Sequence, residues 1–270
     1  MQALLQHIVM RKGRSHPDKG QGSCFADASK ERLDILVQRQ AGVTRAVAQS
    51  LIIRGLVYDS EGNKLDKCGL RLPDGTPLQI RGSRKYVSRG GEKLEAALTA
   101  FSINPAGRVA IDVGASTGGF TDCLLQHGAS KVYAVDVGYG QLAWKLRNDP
   151  RVVVMERTNI RHLQAEELSE LPSLFVIDCS FISLRLVLPC VKNLLSPNAE
   201  GVALIKPQFE AGKDKVGKGG VVRDENIHRD VIEQIKEAAE NQGFRPGGVI
   251  PSPLLGPAGN REYLMYLKWG

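Results

Sequence analysis

Two charged residues, Asp178 and Lys206, each follow a run of apolar residues, in the segments VIDCSFISL and ALIKPQFE. If these runs are central strands of a parallel sheet, both side chains lie at the carboxyl ends of the strands, where such sheets bind ligands. Burial and neighbouring charges at such positions tune the protonation of acids and bases. The pair is therefore a candidate for proton transfer, although a lysine that ends a strand more commonly reaches out to solvent.

A glycine-rich loop follows another apolar run, in IDVGASTGGFTD. Glycine lets a backbone approach a ligand closely, but the order G-A-S-T-G-G differs from the G-x-G-x-x-G of dinucleotide sites. Asp112, just before the loop, suits a cation such as the ammonium group of S-adenosylmethionine better than a pyrophosphate. Asp136, at the end of the next predicted strand, is placed to accept hydrogen bonds from ribose hydroxyls. Asn159, after the third strand, is placed to contact the adenine edge.

We therefore predict an S-adenosylmethionine site. Its expected residues are Asp112, Gly114, Ala115, Ser116, Gly118, Gly119, Phe120, Asp136, Val137, Asn159 and Asp178. The alternative is a tight strand-to-helix turn that needs glycine only for packing.

The elements that must hold these residues alternate between strand-like and helix-like segments across residues 92–270. Their mostly continuous apolar strands predict an α/β fold, a doubly wound Rossmann-like sheet with helices on both faces. A short loop joins the last two strands, RPGGVIPSP and REYLMYLKWG. We therefore expect an antiparallel edge strand.

A small α+β domain is predicted at residues 32–82. RLDILVQRQ has helical spacing, Gly42 ends that helix, and Thr44 is a good N-cap for RAVAQSLIIRG. Strands and turns follow, and the arrangement resembles the S-four-type RNA-binding domain. In that family the starts of the two helices face RNA, which implies contacts from Arg32, Arg39, Thr44, Arg45 and Gln49. The alternative is that two basic helices merely cover a hairpin.

Flanking segments are polar and basic. Residues 1–31 lack periodicity and are predicted to be a disordered tail. Residues 83–91 are predicted to be a basic linker that forms a channel for RNA phosphates, through Arg84, Lys85 and Arg89. The alternative is a basic segment that is only solvated.

The charge distribution favours a polyanionic partner. Residues 1–93 carry 17 Lys and Arg against 9 Asp and Glu, and the remaining residues carry 19 against 20. The whole excess of the +7 net charge lies in the first third, as expected where lysine and arginine displace counterions from phosphates. A basic solvated face is the other interpretation.

Cysteine spacing and the amino terminus argue against other classes. The five cysteines, an odd number without a C-x-x-C pair, predict neither a disulfide framework nor a metal site, and they fit reduced thiols in the cytoplasm. The segment MQALLQHIVMRKGR places apolar residues before its charges, the reverse of a secretory signal. We expect a cytoplasmic protein without a membrane span.

Five motifs together resemble the TlyA proteins, bacterial rRNA 2′-O-methyltransferases related to FtsJ and long labelled haemolysins. The motifs are YVSRGGEKL, DVGASTGGFTD, DCSFISL, KPQFE and GPAGNREY, and the resemblance spans residues 32–268. It implies methyl transfer from S-adenosylmethionine to the ribose 2′-hydroxyl of cytidine in ribosomal RNA. The family's Lys-Asp-Lys-Glu tetrad falls on Lys93, Asp178, Lys206 and Glu262.

A ribose hydroxyl is a poor nucleophile, so a positioned base must take its proton while the methyl group moves in line from sulfur. We expect Lys206 to be that base, as a neutral amine. Desolvation, the sulfonium charge and a second cation such as Lys93 would all disfavour its ammonium form. Asp178 and Glu262 would orient the lysines and help to hold the methionine end and the ribose, although an acid that opens a last strand is often only solvated.

Substrate range stays open at this point. Some relatives carry a carboxyl-terminal extension and modify both ribosomal subunits, so the end at Gly270 favours 23S rRNA, whereas the extra amino-terminal residues leave 16S rRNA as a second candidate. One alternative function is a membrane-acting haemolysin, disfavoured by the lack of an amphipathic basic helix. Another is an RNA-binding assembly factor with a vestigial methyltransferase domain, disfavoured by the intact loop and tetrad.

Overall fold

A computed structural model describes residues 29–81 and 85–270, the side chain of Lys213 excepted. Contacts between Cα atoms divide the chain into two units, Met1–Ser83 and Arg84–Gly270.

The first unit contains two helices and two short antiparallel strand pairs. Its elements are β1 (Lys30–Arg32), α1 (Leu33–Ala41), α2 (Arg45–Ile53), β2 (Val57–Tyr58), β3 (Arg71–Pro73) and β4 (Gln79–Ile80). β1 pairs with β3, and β2 pairs with β4. Gly42 ends α1 in the left-handed conformation, with φ 63°, and the Thr44 hydroxyl caps α2 by accepting a hydrogen bond from Val47 N at 3.4 Å. Both helix boundaries agree with the sequence signals.

Residues 1–31 were expected to be a disordered tail, and residues 1–28 of this segment lie outside the described residues. Its last two residues require a correction, because Lys30 and Glu31 belong to β1 and pair with Pro73 and Leu72. A polar three-residue strand has no hydrophobic period, so only its backbone pairing with a distant segment reveals it.

The second unit contains a seven-stranded sheet and its covering helices. The strand order is β10-β11-β9-β8-β5-β6-β7. Its elements are α3 (Gly90–Ala100), β5 (Val109–Val113), α4 (Gly119–Gln126), β6 (Lys131–Val135), α5 (Trp144–Arg147), β7 (Val152–Met155), β8 (Leu174–Ile177), α6 (Leu184–Lys192), β9 (Glu200–Ile205), α7 (Pro207–Glu210), α8 (Glu225–Asn241), β10 (Phe244–Pro251) and β11 (Tyr263–Trp269).

Strands β5 to β9 run parallel, which confirms the predicted doubly wound sheet. The antiparallel strand is β11, and it lies between β9 and β10, so the edge position itself belongs to β10. β11 pairs with β9 over six residues and is largely buried. β10 contains Pro246, Gly247 and Gly248 beside an irregular register, features that suit an edge strand.

The core lies on both faces of the sheet. Ile111 and Phe175 pack with Val187 of α6 and Ile235 of α8, whereas Val176 packs on the other face with residues of α3 and α4. Strands covered on both faces need apolar residues at every position, which explains their continuous hydrophobic runs.

β5 pairs with β6 on one side and with β8 on the other, so the crossover direction reverses there. In doubly wound sheets, ligands bind at the carboxyl ends of the strands beside such a switch point. No helix in the described part of the chain is long and apolar enough to cross a membrane.

Candidate active site

Two adjoining cavities open at the carboxyl ends of the central strands. The lysine cavity, which contains Lys93 and Lys206, has a volume of about 290 Å³, and the Asp136 cavity has a volume of about 430 Å³. Their shared lining residues are Gly114, Ser116, Asp178 and Ser180. The two cavities are therefore two parts of one crevice.

Lys206 and Asp178 meet in the lysine cavity because they follow the adjacent parallel strands β9 and β8. Lys206 Nζ lies 2.7 Å from Asp178 Oδ1 and donates a hydrogen bond to Ser180 Oγ at 2.7 Å. Lys206 is buried, with 7% of its surface exposed. The two contacts hold the amine in one place at the cavity wall.

Lys93 and Glu262 form a second ion pair. Lys93 lies in the first turns of α3, and Glu262 directly precedes β11, whose first residue pairs with the last residue of β9. Glu262 is buried, and its Oε1 has no hydrogen-bond partner among the described residues. A Cβ at Gly256 would lie 2.1 Å from that oxygen, so glycine is needed there to admit the carboxylate.

The predicted tetrad thus forms two ion pairs. Lys93, Asp178 and Lys206 line the lysine cavity, and Glu262 lies behind Lys93.

Asp136 follows β6 and joins two loops. Its Oδ2 accepts a hydrogen bond from Ser116 N at 2.8 Å, and its Oδ1 accepts one from Gly138 N at 2.7 Å. Each carboxylate oxygen has a second lone pair, so the group can still accept ribose hydroxyls.

The rest of the Asp136 cavity is mostly apolar, with Asn159 at its wall. Asn159 Oδ1 accepts a hydrogen bond from Arg161 N at 3.1 Å, which fixes the side chain. Val137 lines the same cavity and is 71% exposed. Burial raises the pKa of the Cys179 thiol, another lining group, to about 12, so it lies there uncharged.

The glycine loop makes a close backbone approach at Gly114. Its φ is 89°, and a Cβ there would lie 2.8 Å from the carbonyl oxygen of Asp178. Ala115, Ser116, Gly119 and Phe120 line the lysine cavity as well. The loop joins the Asp136 cavity, where the carboxylate can accept ribose hydroxyls, to the lysine cavity, and a ligand such as S-adenosylmethionine can lie across it.

Gly118 differs from the other predicted loop residues, because it lines neither cavity. It has φ 92°, and a Cβ there would lie 2.2 Å from Leu146 Cδ1. The structure therefore assigns this glycine to packing against α5, a correction of its expected contact with the ligand.

Asp112 also requires a correction. The strand extends to Val113, so Asp112 points from inside β5 towards α4, and its Oδ2 accepts hydrogen bonds from Thr121 N at 2.9 Å and Oγ1 at 2.6 Å. The carboxyl group is fully buried and does not reach either cavity. Burial raises its pKa to about 7, and the Asp178 charge adds to the effect against the Thr121 hydrogen bonds.

In the first unit, three predicted RNA contacts converge on one buried carboxylate, that of Asp34. Arg32 donates through Nε and Nη2 at 3.0 and 3.1 Å, Arg45 donates through Nε at 3.0 Å, and Gln49 donates at 3.0 Å. The Arg32 hydrogen bonds above all lower the pKa of Asp34. Two guanidinium groups on one carboxylate leave a net positive charge, and both arginine side chains remain partly exposed.

Arg39 has a different environment. Its guanidinium group lies 2.8 Å from Asp74 Oδ1 and 3.7 Å from Glu31 Oε2. Two carboxylates therefore balance its charge, and the Thr44 hydroxyl is used in the helix cap.

The expected basic linker is part of the second unit wherever it is described. Tyr86 is buried against Gly91, where a Cβ would lie 2.2 Å from a ring carbon, and Val87 N donates to Asp122 Oδ2 at 2.8 Å. Residues 85–91 therefore belong to the second unit, which corrects the predicted start of that domain at residue 92. Lys85 pairs with Glu95, Arg89 lines the lysine cavity, and Arg84 lies outside the described residues.

Sequence reasoning missed several lining residues. Ser180 stands inside the DCSF motif, and Gly256 and Pro257 stand inside GPAGN, so motif membership was the available signal. Gln141 and Thr158 line the Asp136 cavity without any such signal.

Fold and site together define a Rossmann-like methyltransferase. Residues 86–269 match the family model described as FtsJ-like methyltransferase. The chain is 47% identical over 244 residues to TlyA of Mycobacterium tuberculosis (strain H37Rv), described as a 16S/23S rRNA (cytidine-2′-O)-methyltransferase, covering 89% of this chain and 91% of that one. It is 49% identical to YqxC of Bacillus subtilis (strain 168), described as a candidate rRNA methyltransferase, covering 90% and 87%.

A solved structure from Streptococcus thermophilus, described as a candidate hemolysin, has 46% identity and a TM-score of 0.69, covering 90% of this chain and 89% of that one. The chain belongs to the TlyA family of FtsJ-like methyltransferases.

Proposed function

We propose that this protein transfers a methyl group from S-adenosylmethionine to the ribose 2′-hydroxyl of a cytidine in ribosomal RNA. The substrate is 23S rRNA, with 16S rRNA as a second candidate. One observation carries the proposal: the buried Lys206 amine, held by Asp178 and Ser180, lies in a cavity that adjoins the Asp136 cavity. The names of the TlyA relatives give the same reaction.

In this proposal, residues of the Asp136 cavity hold S-adenosylmethionine. Asp136 accepts hydrogen bonds from its ribose, Asn159 and Val137 contact its adenine, and the backbone at Gly114 supports its methionine end. When bound, it supplies an electrophilic methyl group on a sulfonium sulfur.

Lys206 then acts on the RNA. Its Nζ accepts the proton of the 2′-hydroxyl from the place where Asp178 and Ser180 hold it at the cavity wall, and this step requires that Lys206 has first released a proton of its own. Lys93, held by Glu262, donates a hydrogen bond to the ribose oxygen and aligns it. The contacts that hold both lysines are formed before the substrate binds, so their positions need little reorganisation at the moment of reaction.

RNA binding is assigned to the basic surface of the first unit and to Arg89. Arg32 and Arg45 are held by Asp34 and still carry a net positive charge towards solvent. A ribosomal RNA substrate would also place the enzyme in the cytoplasm.

The experiment that tests this function is methyl incorporation from radiolabelled S-adenosylmethionine into separated ribosomal subunits from a strain lacking the enzyme. We expect label in 23S rRNA, and nuclease digestion should release it as 2′-O-methylcytidine. Label in 16S rRNA as well would establish the wider range. Absence of label from both subunits, together with dye leakage from liposomes caused by the purified protein, would instead support the haemolysin alternative.

A further inference from the structure

A basic, glycine-rich hairpin lies outside the machinery described above. Between Lys215 and Arg223 the sequence, KVGKGGVVR, carries three cations and no acid. Gly217 and Val221 form an antiparallel bridge, in which Gly217 N donates to Val221 O at 3.1 Å. We call residues 215–223 the basic hairpin.

The tip of the basic hairpin faces solvent. Gly219 and Gly220 have φ 81° and 75°, and a Cβ at either position would meet nothing within 4 Å. Lys215, Lys218 and Arg223 are exposed, and none of them forms an ion pair within the described ranges 29–81 and 85–270. Asp214 precedes the hairpin without pairing with these cations. The tip is therefore a positive surface with a bare backbone.

The base of the basic hairpin is fixed by Asn260, a buried residue. Asn260 Nδ2 donates to Gly220 O at 2.9 Å and to Pro257 O at 3.2 Å, and its Oδ1 accepts from Val222 N at 3.1 Å. The imidazole of His228 adds a contact to Val222 O at 2.9 Å. Because Pro257 lines the lysine cavity, one amide group connects the hairpin to the cavity wall.

We propose that the basic hairpin binds the phosphate backbone of the RNA substrate beside the nucleotide that enters the lysine cavity, and that Asn260 positions it. The inference rests on the proposed function and adds an RNA contact on the second unit. Unpaired cations gain free energy by displacing counterions from phosphates. Glycines at the tip let the RNA backbone approach without side-chain clashes.

Lys215→Ala/Lys218→Ala tests this surface. Its matched control is Arg245→Ala/Lys268→Ala. These two exposed residues are partners in β10 and β11, and Lys268 also pairs with Glu200 at the start of β9, so both lie at the end of the parallel strands opposite the cavities. Each double variant removes two positive charges. We would measure binding of protein-free 23S rRNA fragments and of whole subunits across a salt series, together with the affinity for S-adenosylmethionine.

We expect the hairpin variant to raise the RNA Kd about tenfold at 100 mM salt and to lower the log-log salt slope by roughly 1.4 to 1.8, the value for two lost phosphate contacts. S-adenosylmethionine affinity should stay unchanged, and the control should stay within about twofold of wild type. Asn260→Asp removes the two Nδ2 hydrogen bonds. It should raise KM for RNA while kcat at saturating RNA is kept, a split that general destabilisation would not give.

Salt slopes that are equal in the hairpin variant and the control would overturn the inference. A loss of binding to whole subunits but not to protein-free RNA would also overturn it, because a ribosomal protein would then be the partner. Neither result depends on methyl transfer. Failure of the wild-type enzyme to methylate either subunit would contradict the proposed function, while the binding data would still decide the inference.

Discussion

Lys206, which follows β9, pairs with Asp178, which follows β8. Lys93 of α3 pairs with Glu262, which precedes β11. The two lysines differ in their surroundings. Lys206 contacts Asp178 and a serine hydroxyl at the wall shared with the Asp136 cavity, whereas Lys93 contacts a fully buried carboxylate. Lys206 is therefore the better candidate for the proton acceptor.

Lys206→Ala should lower turnover by about two to four orders of magnitude, the usual contribution of a positioned base. Affinities for S-adenosylmethionine and RNA should remain nearly unchanged in calorimetry and filter binding. Lys206→Arg should not restore turnover, because a guanidinium group does not give up its proton near neutral pH. Lys236→Ala, which removes a half-buried lysine of α8 that pairs with Glu233, is the control. Near-normal turnover of Lys206→Ala would move the base role to Lys93.

Asp112 gives a prediction for pH. Burial raises the pKa of its carboxyl group to about 7 in the folded protein, above the value of about 3.9 expected in the unfolded chain. The folded state therefore binds the proton more tightly, so this contribution to stability is complete below pH 4 and is lost as the pH rises through 7. The melting temperature of the ligand-free protein should fall from pH 5 to pH 8 more steeply than that of Asp112→Asn.

Asp149→Asn is the control for that experiment. Arg151 lowers the pKa of the Asp149 carboxyl, so any contribution it makes has the opposite sign and is lost as the pH falls. Parallel melting curves of wild type and Asp112→Asn across this pH range would contradict the buried, neutralised carboxyl group.

Among the elements, the paired helices α1 and α2 show how a module can hold arginines for a partner. Asp34 fixes Arg32 and Arg45 through the guanidinium edges that face it. Within the described residues, Nη1 and Nη2 of Arg45 have no hydrogen-bond partner. A phosphate can bind there without first breaking an ion pair.

Arg45→Ala should raise the RNA Kd about fivefold and reduce the salt slope by about 0.7 to 0.9, the loss of one phosphate contact. Arg39→Ala is the matched variant, because its guanidinium group is already balanced by Asp74 and Glu31. It should change the Kd by less than about twofold. Equal effects of the two substitutions in a salt-series binding assay would show that contact with Asp34 does not determine which arginines bind RNA.

Element by element, sequence patterns succeed where a local rule decides the structure. The strands β8 and β9 follow from continuous apolar runs, and α2 follows from its threonine cap. Long-range pairing has no local signal, so the inner position of β11 and the strand at Lys30–Arg32 were not predicted.

The candidate site divides in the same way. Asp136, Asp178 and Lys206 follow their strands and line the crevice as expected. Asp112 and Gly118 were misassigned, because each faces a packing partner rather than the crevice. Asp112 contacts Thr121 of α4 and Gly118 lies against Leu146 of α5, and no local sequence pattern indicates these contacts.

At the scale of the whole molecule, the two units divide the proposed work. The second unit holds both cavities and the tetrad. The first unit holds Arg32, Arg45 and Gln49 around Asp34. The excess of lysine and arginine over aspartate and glutamate lies in the first third of the sequence.

Removal of residues 1–83 should therefore keep the affinity for S-adenosylmethionine within about threefold of wild type. It should weaken RNA binding and lower the salt slope of that binding. Isothermal calorimetry and a salt series on the truncated protein give both values. An unchanged salt slope would exclude the first unit as the main RNA anchor. Circular dichroism of the truncated protein is the control for folding.

The most direct test of the central claim uses a reconstituted RNA substrate in which the target cytidine lacks its 2′-hydroxyl. Methyl transfer should disappear with this deoxy substrate while its binding affinity stays close to that of the natural RNA, because only the accepting oxygen has been removed. The matched natural RNA should be methylated in the same assay. Methylation of the deoxy substrate at an undiminished rate would place the modification on the base and contradict ribose 2′-O-methylation.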